Sequence, residues 1–167
     1  VVTGANSGTG YETALGLAEK GATVVLACRD LARGGAARER IAEAVPEAAV
    51  QVLELDLGSL ASVRAFAEAF KANHDRLDVL VNNAGTVGLA ESRTEDGFEA
   101  QFGINHLGHF ALTGLLLDAL LKTPGSRVVT VSSRMHANAE LDWDDLMSGK
   151  DYDRWEADSR RQLANLL

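Results

Sequence analysis

Glycine stands at positions 4, 8 and 10, in the string Thr3-Gly4-Ala5-Asn6-Ser7-Gly8-Thr9-Gly10. An apolar Val1-Val2 pair leads into it and a helical pattern leads out. Glycines placed so let a backbone turn tightly and let a diphosphate approach the main chain. The helix that follows offers unpaired N–H groups and the positive end of its dipole. The chemistry is anion binding, and a dinucleotide pyrophosphate suits this strand–turn–helix context. Other groups promise less. His106 and His109 are spaced to share a helix face, but no nearby Cys or carboxylate completes a ligand set, so no metal is expected. Cys28 is the only cysteine and is expected to be buried and inert. Asp142-Trp143-Asp144-Asp145 lacks the glycine and terminal glutamate of a calcium loop and reads as a solvated loop anchored by Trp143. Arg160-Arg161 reads as a short, solvated basic pair.

The elements that must position these residues alternate in type. Val1 to Thr3 reads as the end of a strand, and Gly10 to Lys20 as a helix closed by Gly21. Thr23 to Cys28 is a continuous apolar run, the pattern of a strand buried on both faces. Leu31 to Ala44 is helical, Val50 to Leu55 extended, and Ser59 caps a helix through Phe70. Asp78 to Val81 is a short strand, Thr94 to Leu121 is largely helical, and Arg127 to Val131 is a fifth strand. Asp142 to Asp153 suggests an ordered loop or short helical turns, and Trp155 to Leu167 a helix in which the chain stops. This alternation predicts an α/β fold, a doubly wound parallel sheet of Rossmann type with three α/β/α layers. Residues 1–167 are expected to form one dinucleotide-binding domain, truncated at its start, since a strand feeding a glycine turn should be longer than Val1 to Thr3. An upstream anchor stays open.

Composition narrows the function. A net charge of −8 without a basic stripe makes nucleic acid and anionic membrane surfaces poor partners. A lone cysteine excludes a disulfide framework and favours a reducing compartment, the cytoplasm by default. No apolar run has the length of a membrane span.

The glycine spacing, with Thr3 ahead of it, resembles the short-chain dehydrogenase/reductase family. Asp56 in Leu55-Asp56-Leu57, the string Asn82-Asn83-Ala84-Gly85, Asn105 in Asn105-His106-Leu107-Gly108-His109-Phe110, and Ser132-Ser133 after the fifth strand agree. Leu163-Ala164-Asn165-Leu166-Leu167 is similar to the retinol-dehydrogenase-like branch. The resemblance implies that Gly4, Asn6, Ser7, Gly8, Gly10, Arg29, Asp56, Asn83, Ala84 and Gly85 hold a nicotinamide dinucleotide. Arg29, ending the second strand, stands where a 2′-phosphate would be selected, so NADP(H) is favoured over NAD(H). Asp30 is expected to cap the next helix.

By the same resemblance, Ser133, rather than Ser132, and Asn105 are catalytic-type residues. The branch pattern continues Tyr-x-x-Ser-Lys-Leu-Ala-Asn-Leu-Leu, and this chain departs from it. The intact tail fixes the register, which puts Asp158 in the tyrosine slot and Gln162 in the lysine slot. An ordinary Asp titrates near ~3.9 and carries no proton to donate at neutral pH. Gln162 has no charge with which to lower a neighbour's pKa, though it can still hydrogen-bond ribose hydroxyls. Tyr152 is a weak substitute, expected to pack with Trp155. The expected function is therefore an NADP(H)-dependent oxidoreductase of a lipophilic alcohol, aldehyde or ketone, with impaired catalysis. A catalytically silent dinucleotide-binding module, or a gene fragment, stands beside it. The family commonly pairs through its long and final helices, which makes a homodimer an expectation.

Overall fold

The computed structural model describes residues 1–167, apart from the side chain of Asn138. Five strands form one parallel sheet: β1 (Val2–Thr3), β2 (Val24–Cys28), β3 (Val50–Glu54), β4 (Val79–Asn82) and β5 (Arg127–Thr130), in the spatial order β3-β2-β1-β4-β5. Val2 pairs with Leu26 on one side and Val81 on the other, so β1 sits at the centre. The strand order reverses beside β1. In such sheets ligands bind at that switch point, beyond the carboxyl ends of the strands.

Helices cover both faces because the central strands are apolar on both. Val24, Leu26 and Cys28 of β2 pack with Ala14, Ala18, Ala37 and Ile41 from α1 (Gly8–Glu19) and α2 (Leu31–Ala44). Val25 and Ala27 face the opposite layer, with Phe66 and Phe70 of α3 (Leu60–Asn73), Leu112 of α5 (Gly108–Leu115) and Leu120 of α6 (Leu117–Lys122). Full burial of one such side chain is worth about 1.5–3 kcal/mol, so these two apolar layers fix the sheet's register and aim its carboxyl ends.

Two helices depart from the sequence pattern. The first starts at Gly8, at the turn itself, rather than at Gly10. The stretch from Thr94 begins as a tight turn: Gly97 adopts φ +85°, Thr94 N donates to the Phe98 carbonyl (2.9 Å), and Phe98 N donates to Thr94 Oγ1 (3.2 Å). Helix begins only at α4 (Ala100–Phe102), where Glu99 accepts from the N–H groups of Gln101 (2.9 Å) and Phe102 (2.7 Å). A π-helical turn, Gly103–Leu107, then joins α4 to α5. After β5, a 3₁₀ turn (Arg134–Asn138) and a looped stretch lead to α7 (Arg154–Ala164), capped by Asp153. Trp143 does not anchor that loop, being 73% exposed. β5 is the sheet's edge, with Val128 and Val129 exposed. Among the described residues, no helix is long and apolar enough to cross a membrane.

Candidate functional site

A cleft of about 340 Å³ opens beyond the carboxyl ends of β1, β2, β3 and β4. Gly4, Asn6, Ser7, Gly10, Arg29, Asp56, Asn83, Ala84 and Gly85 all line it; Gly8 lies in the same turn without lining it. The turn has no room for side chains at two of its glycines. A Cβ on Gly10 would stand 2.5 Å from the Gly4 carbonyl oxygen and 2.5 Å from Asn83 Nδ2. Gly4 adopts φ +65°, and a Cβ there would meet Ala84 Cα at 2.9 Å. The backbone of the turn therefore packs directly on the end of β4, with the start of α1 aimed at the cleft. Ser7 precedes α1 with no side-chain cap bond, so its first N–H groups are available to a ligand.

The rim is set by the strand ends. Arg29 is exposed on the cleft, and its guanidinium makes no hydrogen bond or ion pair among the described residues. Its neighbour Asp30 turns away to cap α2, accepting from Arg33 N (3.0 Å). Asp56 Oδ1 accepts from Gly58 N (2.8 Å), which leaves Oδ2 for the cleft. Thr86 lines the far end, and its Oγ1 is buried without a hydrogen-bond partner. These donors and acceptors fit a dinucleotide with its diphosphate at the α1 terminus.

Under the cleft floor runs a polar network that sequence reasoning missed. Thr3 Oγ1 accepts from Asn83 N and Ala84 N, both at 2.9 Å, and Asn83 Nδ2 donates to the Thr3 carbonyl at 2.9 Å. His109 Nδ1 faces the Asn105 carbonyl (3.1 Å), so that nitrogen carries the proton. Its Nε2 then accepts from the Thr3 hydroxyl (2.8 Å). Asn105, buried in the π-helical turn, clamps Thr86: its Oδ1 accepts from Thr86 N and its Nδ2 donates to Thr86 O, each at 2.8 Å. Thr3 and His109 thus join the glycine turn to Asn105. The spacing of His106 and His109 signalled a shared helix face, not this partner on β1. No cluster suited to a metal ion occurs among the described residues.

Burial, the largest cause, lowers the His109 pKa from 6.5 to about 4; the Asn105 carbonyl opposes this, while His106 and Arg161 add to it. His109 is therefore neutral in the fold, whereas the unfolded chain takes up its proton near ~6.5. The stability this provides is complete above pH 6.5 and is lost as pH falls from about 6.5 to about 4. The loss should approach about 3 kcal/mol. Urea unfolding across that window should show a steeper pH dependence for the native chain than for His109→Gln. Equal slopes would refute the assignment, because the carboxylates contribute alike to both.

The far end of the site is built by α7. Asp158 and Arg161 are 3% and 5% exposed and form a buried ion pair. Arg161 Nε donates to Asp158 Oδ1 at 2.8 Å, and Nη2 donates to the same oxygen. The basic pair expected to be solvated is not: Arg161 is internal, and Arg160 is largely covered, donating to Glu156 (2.6 Å) and Ser148. Arg161 lies on the same helix face as Asp158, and helical spacing could have revealed it. Gln162 is buried with Oε1 unpartnered, and its carbonyl accepts from the Ser132 hydroxyl (2.9 Å). Ser133 is exposed and caps the 3₁₀ turn. No hydrogen bond joins Ser133 to Asn105, Asp158 or Gln162 among the described residues. The Tyr152 hydroxyl accepts from Gln101 Nε2 (3.1 Å) and lies 3.1 Å from the Leu89 carbonyl. Burial raises its pKa, which suits a structural hydroxyl. Cys28 is buried, and burial pushes its thiol pKa up.

The family model for short chain dehydrogenase matches residues 1–143. The chain belongs to the short-chain dehydrogenase family. Within it, the similarity falls in the retinol-dehydrogenase-like branch. Human retinol dehydrogenase 14 is 46% identical over 180 residues, which take in all of this chain and 54% of that protein. Human retinol dehydrogenase 12 is 47% identical over 167 residues, all of this chain and 53% of the relative. The chain thus spans about half the length of the curated relatives it matches. Among solved structures, an uncharacterized protein from Mycobacterium paratuberculosis is 48% identical with a TM-score of 0.87, over 98% of this chain and 57% of that one. A short chain dehydrogenase of Shigella flexneri, solved in complex with NADP, is 28% identical with a TM-score of 0.77, over 98% and 65% of the two chains.

Proposed function

We propose that the cleft binds NADP(H), and that the chain is an oxidoreductase domain for a lipophilic alcohol, aldehyde or ketone whose turnover is impaired. The observation that carries the cofactor reading is the free guanidinium of Arg29 on the rim of the cleft that the glycine turn lines. In this reading Gly4, Asn6, Ser7, Gly8 and Gly10 receive the diphosphate, Arg29 the 2′-phosphate, and Asp56 the adenine side. Asn83, Ala84 and Gly85 border the nicotinamide ribose. When bound, the cofactor supplies or accepts the hydride. Ser133 would meet the substrate oxygen, and Asn105 would support the proton relay. Asp158 and Gln162 fill the places of the proton donor and its cation. Residues 1–167 then act as one NAD(P)-binding domain in a reducing compartment such as the cytoplasm, which suits the single buried thiol.

Binding titrations test the cofactor. NADPH should bind more tightly than NADH, and Arg29→Ala should weaken NADPH by roughly 10- to 100-fold, the worth of a charge-assisted hydrogen bond, while leaving NADH unchanged. Absence of binding at millimolar NADPH would sink the reading. A second reading, a catalytically silent nucleotide-binding module, is favoured by the buried Asp158–Arg161 pair. A homodimer is favoured by the exposed Phe110, Leu117 and Leu121 along α5 and α6. Sedimentation that gives only monomer at micromolar protein would remove it.

A further inference from the structure

The two ends of the cleft have different neighbours. Its β2–β3 side is lined by Arg29, Leu55, Asp56 and Leu57. Its β4 side ends at Gly85, Thr86 and Ile104. None of Asn105, Ser133, Asp158, Arg161 or Gln162 lines it. Asn105 and Arg161 stand beside Gly85: a Cβ on that glycine would lie 3.3 Å from Asn105 Oδ1 and 3.6 Å from Arg161 Nη1.

We propose that the Asp158–Arg161 ion pair is a built-in stopper of the nicotinamide end, so that the chain recognises a 2′-phosphorylated adenosine diphosphate and gains nothing from the nicotinamide ring. The proposal rests on the reading of this cleft as an NADP(H) site. The stopper is held firmly. Arg161 cannot swing out without leaving Asp158 buried and unpaired, the costly way to break a buried pair. Its helix cannot easily shift either. Gln101 Nε2 donates to the Arg154 carbonyl (2.9 Å) at one end of α7, and the Ser132 hydroxyl donates to the Gln162 carbonyl (2.9 Å) near the other. Asn165 Oδ1 lies 2.9 Å from His106 Nδ1, which closes the last turn onto the π-helical segment. The charge at Arg161 is already matched by Asp158, so it offers little to a ligand anion.

Calorimetric titration of the unaltered chain with NADPH and with 2′-phospho-ADP-ribose, which lacks only the nicotinamide, tests this directly. The two affinities should agree within about threefold. NADPH tighter by about tenfold or more would overturn the stopper and leave the cofactor reading standing. Failure of both ligands at millimolar concentration would overturn both. The double variant Asp158→Ala/Arg161→Ala removes the pair without stranding a charge. It should bind 2′-phospho-ADP-ribose as before, which also reports a folded cleft, and should favour NADPH by about tenfold or more. A double variant that binds 2′-phospho-ADP-ribose normally and shows no new preference for NADPH would overturn the proposal.

Discussion

The triple substitution Asp158→Tyr, Arg161→Ser and Gln162→Lys is expected to raise NADPH-dependent reduction of a small, soluble aldehyde by roughly 100- to 10,000-fold, the usual worth of general acid–base assistance. All three positions matter, for separate reasons. A phenol at 158 has a proton to give but titrates near ~10 unless a cation lies beside it. A lysine at 162 supplies that cation, in a place where Gln162 leaves a buried oxygen without a partner. Neither change opens the site while the guanidinium of Arg161 stands against Gly85. The pair Asp158→Tyr/Gln162→Lys with Arg161 retained should therefore recover much less than the triple variant. A small aldehyde is the right probe, because it asks little of a substrate pocket. Steady-state oxidation of NADPH is the measurement. If the unaltered chain already matches the triple variant, the impaired-catalysis reading is wrong.

How far the sequence revealed this site depends on the range of the forces involved. The strands and their neighbouring helices were legible because periodicity is local: the unbroken apolar run at Val24 to Cys28 is short for a helix and reads as a strand covered on both faces. The glycine turn was legible because three glycines between a strand and a helix form a local pattern, although the contacts that require Gly4 and Gly10 include Ala84 and Asn83, far along the chain. The Thr94 to Leu121 stretch was not. Its helical composition is real, but Gly97 and the cap at Glu99 delay the helix to Ala100, and a π-helical turn then sets Asn105 against Thr86. Thr3 and His109 meet across 106 positions of chain, which no window of sequence can register. Arg161 failed in a different way. Two adjacent arginines in an acidic chain read as solvated, and the partner that allows one to be buried lies one helical turn earlier, at Asp158. The residue noted as a missing proton donor is also the counter-ion that brings Arg161 inside.

That double role makes the energetics of the pair sharply asymmetric. Arg161→Ala alone leaves the Asp158 carboxylate buried, with its Arg161 donors gone, and should cost about 3–5 kcal/mol. Asp158→Ala alone strands the guanidinium and should cost a similar amount. Removing both charges while keeping volume, as in Asp158→Leu/Arg161→Met, should be close to neutral or stabilising, because neither ion then has to leave water. Urea unfolding of the two single variants and the double variant measures this as a coupling energy. Near-additive losses would show that the pair is more solvated than its 6% and 4% side-chain exposures indicate. The same variants reach His109, whose pKa Arg161 helps to hold down. Loss of that charge should let the imidazole protonate more easily in the fold. The acid-sensitive window of the Arg161→Ala variant should therefore narrow from its lower end, with folded His109 titrating above about 4. An unchanged window would mean that burial alone, without the guanidinium, keeps this histidine neutral.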